Sequence, residues 1–143
     1  MNTLSRKHKA GPASARILVS EAMHDGVVTC ARDSSLSDVA KLMAGRRVHC
    51  IVVTDDADDA DALWAIVSDL DLAAAASVRD LDEQTAGGTA ATPALAIEPG
   101  ETIQRAAQLM TEHGTAHLVV VDSSRRPVGV ISTLDVAAAL CAR

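Results

Sequence analysis

Aromatic side chains are almost absent: the 143 residues hold one Trp and neither Phe nor Tyr. A core must therefore be built from Val, Leu, Ile, Ala and Met. The absence also argues against single-strand nucleic-acid modules, which stack bases on aromatic rings. Cysteine is scarce. Cys30, Cys50 and Cys141 form no CxxC pair, and an odd, sparse set fits a reducing compartment rather than a disulfide framework. No apolar run approaches the length of a membrane span. The basic start continues as Ala-Gly-Pro-Ala-Ser, not as the apolar stretch of a secretory signal. The expected setting is cytoplasmic, with no membrane partner.

Basic charge is also in short supply. The formal net charge is −6, and Arg6, Lys7, Lys9 and Arg16 sit in a start that holds no acid. The other 9 basic and 19 acidic residues leave the body at −10. A body of that sign repels phosphate backbones, so no nucleic-acid partner is expected. Residues 1–16 read as a solvated, disordered tail.

What is present is a repeat. SSLSDVAKLM near residue 36 is answered by GETIQRAAQLM near residue 103, VHCIVVTD by TAHLVVVD, and AIVSDLDLAAAA by GVISTLDVAAAL. Leu36/Ile103, Met43/Met110 and Asp55/Asp122 are 67 apart, while Ser68/Ser132 and Asp71/Asp135 are 64 apart. The first copy thus carries three extra residues in the intervening loop. Each copy is too short to be comfortably stable alone, so the two are expected to bury a common face.

The patterning of each copy reads β-α-β-β-α. Val27–Cys30 suggests a strand, Ser35-x-x-Asp38 a capped helix start, and Gly45 a helix stop. Cys50-Ile-Val-Val-Thr reads as a strand buried on both faces. Leu63–Ser68 is a third strand, and a helix starts at Asp69. The second copy gives Ala94–Ile97, Thr102–His113, His117–Val121, Val128–Ser132 and a helix to about Cys141. The expected division is repeat 1 over 17–77, a linker over 78–88 and repeat 2 over 89–143, an α+β (α/β) chain with pseudo-twofold symmetry. Ala73–Ala76 and Ala137–Ala139 offer thin helix faces for close packing between copies or subunits, and alanine also favours helix in its own right.

The corner from strand to helix occurs twice, as Ser68-Asp69-Leu70-Asp71 and Ser132-Thr133-Leu134-Asp135. A helix N-terminus presents free N–H groups suited to phosphate, hydroxyls add donors, and an Asp can accept from two sugar hydroxyls. Ser-x-x-Asp is equally a capping box that needs no ligand. Other clusters carry less. The aspartates of 55–61 lack the Gly and Glu of a calcium-binding loop. His49, Cys50, His113 and His117 match no zinc signature, so no metal is expected. Trp64 reads as an edge of the core. No nucleophile arrangement is apparent, and the chain is not expected to be an enzyme.

The ordered set, occurring twice from about Val19 to Leu140, resembles the cystathionine-β-synthase (CBS) domain, and two in tandem resemble a Bateman module. The resemblance implies homodimers and clefts for adenosyl ligands such as AMP, ADP, ATP or S-adenosylmethionine, bound as regulatory ligands rather than tight cofactors. It implies that Asp71 and Asp135 hold ribose hydroxyls. It also implies that Ser68, Ser132 and Thr133 contact phosphate or ribose, that Thr29 lies near the base, and that Arg46 or Arg47 reaches phosphate. Asp69 adds a negative charge where the second copy has Thr133, so the Ser132–Asp135 corner is expected to bind phosphate better. The alternative is a ligand-free dimerisation or scaffold module whose corners are only caps.

Overall fold

The computed structural model describes residues 16–55, 62–90 and 94–141. The expected tail up to residue 15 and the acidic loop over 56–61 lie outside the described residues. Strands β2 (Thr29–Ala31), β3 (Cys50–Asp55) and β4 (Ala62–Ser68) form one sheet in the order β2-β3-β4. A second sheet has the order β1-β7-β6-β5, from β1 (His24–Asp25), β5 (Ala96–Ile97), β6 (His117–Val121) and β7 (Pro127–Ser132). In each copy a parallel pair, β2/β3 or β5/β6, is followed by an antiparallel hairpin, β3/β4 or β6/β7.

Period-two alternation explains why both sheets are covered on both faces. On β3, Ile51 and Val53 face the helices of their own half, while Cys50 and Val52 join Ile66, Val119 and Val121 in a layer between the sheets. On β6, Leu118 and Val120 face the other helices. Val119 and Val52 are fully buried. The continuous apolar runs VHCIVVTD and TAHLVVVD are the sequence trace of that double burial.

Helices α2 (Leu36–Arg46) and α5 (Ile103–His113) occupy matching places. Ser35 Oγ accepts from the Asp38 N–H and Thr102 Oγ1 from the Arg105 N–H, so each start is capped. α2 does not stop at Gly45: it runs on to Arg46 and ends at Arg47, whose φ is 55°. α5 ends at Gly114 with φ 62°, the residue type that tolerates this conformation best.

Two short segments exchange places between the halves. α1 (Val19–Ala22) and β1 open the stretch read as repeat 1 but pack on the second half, where Val19 is fully buried beside Ile103 and Met110. Residues 78–88, read as a linker, instead hold a 3-10 turn at Leu81–Glu83 and enter α4 (Ala86–Thr89). Ala86 is fully buried in the first half's core. The bridges Leu18↔Thr102 and Thr85↔Ser35 make the exchange reciprocal. The remaining helices, α3 (Asp69–Ala76) and α6 (Thr133–Cys141), start at the two corners. No described helix is long and apolar enough to cross a membrane.

Candidate functional site

Ser68 is paired with Cys50 across the first hairpin and Ser132 with His117 across the second. Cys50 borders the inter-sheet layer, and His117 lies two residues from Val119 on the same face of β6. Both corners therefore stand at one end of that layer.

At the first corner the Ser68 N–H donates to Asp71 Oδ2 at 2.8 Å, and Ser68 Oγ accepts from the Asp71 N–H at 3.2 Å. At the second, the Ser132 N–H donates to Asp135 Oδ2 at 2.8 Å, and Ser132 Oγ accepts from the Asp135 N–H at 3.1 Å. The capping-box reading of both corners is thus realised in full. Each box uses one oxygen of its carboxylate and leaves the other to be accounted for.

That other oxygen distinguishes the corners. No hydrogen bond to Asp71 Oδ1 is formed among the described residues, and Asp71 lines a cleft of about 460 Å³. The cleft is lined by Ser68, Asp69 and Asp71 from one half and by His113, Thr115 and His117 from the other. Its size lies within the range of about 300–1,000 Å³ of small-molecule sites. Asp135 Oδ1 instead lies 2.8 Å from His24 Nε2.

The helix termini differ in the opposite sense. The Leu70 N–H, which could face an anion, donates to Asp69 Oδ1 at 2.8 Å. At the second corner, Thr133 stands in place of Asp69, and no described side chain accepts from the Leu134 N–H. Asp69 is also held by His49, whose Nδ1 lies 2.9 Å from Asp69 Oδ2. That hydrogen bond holds the Asp69 carboxyl below the usual carboxylate range. Burial pushes the His117 imidazole down, against the opposing pull of the Asp69, Asp135 and Asp71 carboxylates. Burial, with Asp71 and Asp69 nearby, pushes the Cys50 thiol up to about 12.

Of the residues singled out in the sequence, Ser68 and Asp71 share the large cleft. Ser132 and Asp135 share the second corner, and the Thr133 N–H donates to the Ala116 carbonyl on the rim of the first cleft. Thr29 lines a separate hollow with Thr54, Asp122 and Arg126. Arg47 lines a groove on the first half with His49 and Asp69. Residues 113–117 and His24 were not singled out as site residues. The first group could have been found by placing the repeat's Arg46–Cys50 segment 67 residues on. No local pattern marks His24.

The profile described as the CBS domain matches residues 19–78 and 88–142. A CBS domain protein of Pyrobaculum aerophilum, solved in complex with AMP, is 28% identical, with a TM-score of 0.76 over 89% of this chain and 100% of that one. The CBS domain pair of protein MJ0100, solved with 5-methylthioadenosine and S-adenosyl-L-methionine, is 20% identical with a TM-score of 0.77, covering 86% and 98%. A homoserine O-acetyltransferase of Methanosarcina acetivorans is 28% identical over 127 residues, which are 87% of this chain and 22% of that protein. The chain thus spans about a fifth of that relative's length. With a family match over both repeats and the fold shared with solved pairs, this chain belongs to the CBS domain family.

Proposed function

We propose that the chain is a regulatory module that binds an adenosine-containing ligand, AMP, ADP, ATP or S-adenosylmethionine, between its repeats. The observation that carries this reading is the Asp71 carboxylate. Its Oδ2 is fixed by the Ser68 N–H, and the residue lines a cleft built by both halves. A fixed acceptor facing a nucleoside-sized space suits the vicinal hydroxyls of ribose. The 28% identical relative solved with AMP supports the same ligand class.

The corners divide the ligand's chemistry. The second corner has Thr133 and the Leu134 N–H, which no described side chain takes, for phosphate, with Ser132 and Asp135 beside them. The first has the open cleft, but the Asp69 carboxylate already takes the Leu70 N–H. A bound ligand would touch both halves and so favour the arrangement in which the cleft is closed on it, which is how it could regulate a partner or the protein's own assembly. In this reading the module performs no chemistry on its ligand and acts in the cytoplasm. Thr29 and Arg47 line other hollows, and neither is given a ligand contact.

Thermal shift against AMP, ADP, ATP, S-adenosylmethionine and adenosine tests the proposal. A true ligand at about 100 times its Kd stabilises by roughly 2.7 kcal/mol. A flat response across the panel favours the second reading, a ligand-free dimerisation module. That reading is supported by Leu70 and Leu134, exposed by 75% and 72% at matching places on α3 and α6.

A further inference from the structure

Among the described residues, a strap covers the second corner and none covers the first. β1 pairs antiparallel with β7, His24 opposite Val130 and Asp25 opposite Gly129. It leaves that position through Gly26, whose φ is 79° and whose N–H donates to the Val128 carbonyl at 2.8 Å. The pairing brings His24 Nε2 to 2.8 Å from Asp135 Oδ1, the oxygen that the capping box leaves over. The His24 side chain is 79% exposed and that of Asp135 only 10%, so the imidazole lies on the solvent side and lids the carboxylate.

Gly129 is what lets the strap lie there. A Cβ at residue 129 would stand 2.5 Å from the His24 carbonyl and 3.2 Å from Met23 Sδ. The equivalent place in the first repeat is Ala65, and the residue 67 on from His24 is Ala91, which has no imidazole to offer. Both halves of the device are therefore confined to one copy.

We propose that His24 is an intramolecular competitor for the Asp135 carboxylate, so that the second corner accepts a ligand diol only when His24 is displaced. The proposal rests on the reading above that the Asp71 carboxylate takes ribose hydroxyls, extended to the matching carboxylate of Asp135. Its consequence is two unequal sites, an open one at Asp71 and a reserve one at Asp135 that fills last.

Calorimetric titration of the full chain with adenosine and with AMP tests it. Wild type binds one equivalent, lost in Asp71→Ala, and any second equivalent is at least tenfold weaker. His24→Ala tightens the second site at least tenfold, and adding Asp135→Ala removes it again. His24→Gln, which retains an N–H donor, stays close to wild type. Gly129→Ala, which crowds the strap, follows His24→Ala. The proposal is overturned if wild type fills two equal sites, or if His24→Ala leaves the second site unchanged while the Asp71 site still binds. Absence of binding in every variant overturns the ligand reading together with the strap. Binding that appears only in His24→Ala and disappears with Asp135→Ala keeps the strap and removes the Asp71 site.

Discussion

Asp71 and Asp135 each do two things with one carboxylate. One oxygen closes the capping box and fixes the side chain, and the second is then held in place for another partner without further ordering cost. The same burial that shapes this end of the molecule acts on Cys50. Its thiol, 7% exposed and pushed up to about 12, has almost no thiolate at neutral pH. Alkylation by iodoacetamide at neutral pH, followed by mass spectrometry, should therefore label exposed Cys141 first and Cys50 only after denaturation. Arg47 holds a left-handed conformation at the place where the second copy has Gly114. Arg47→Gly relieves that strain and should raise stability in urea titration by about 0.5–1 kcal/mol.

The paired strands β3 and β6 set where the corners stand, because their starts, Cys50 and His117, lie opposite Ser68 and Ser132. His117 makes this junction sensitive to acid. Burial lowers its value in the fold below the ordinary 6.5, so the unfolded chain takes up the proton first. Its contribution to stability is complete above 6.5 and is lost as pH falls through that value towards the lower folded one. The Tm of wild type should fall over this window, and His117→Gln should flatten the limb. The larger elements were legible in the sequence because their signals are local: continuous apolar runs on β3 and β6, Ser or Thr at helix starts, and the Ser-x-x-Asp boxes. α1, β1 and α4 were not. Each is two to four residues long, too short for a period to show. Each is held by distant partners, as Val19 is by the Ile103 region and Ala86 by the Leu36 region. The open cleft was half legible: Ser68 and Asp71 carry a pattern, whereas His113 and His117 enter only through the packing of one half on the other. His24 reaches Asp135 across 111 residues of chain, a pairing that no local motif encodes.

As a whole the molecule is a reciprocal exchange of two halves around one apolar layer, and two matched leucines remain outside it. The proposed function expects a homodimer that covers Leu70 and Leu134, both exposed on α3 and α6. Light scattering should give twice the 14.8 kDa chain mass, and Leu134→Glu should shift the protein towards monomer while its circular dichroism is retained. The two copies match in pattern but not in state: one carboxylate residue lines a cleft and the other is lidded by an imidazole. The central claim is that the Asp71 cleft holds the ribose of an adenosyl ligand. Isothermal titration with adenosine tests it most directly, because adenosine carries the diol and the base without a phosphate for Asp69 to repel. The account predicts saturable binding by wild type and a loss of at least tenfold in affinity with Asp71→Ala at unchanged fold. Equal affinities in the two proteins, or no heat in either, would contradict it.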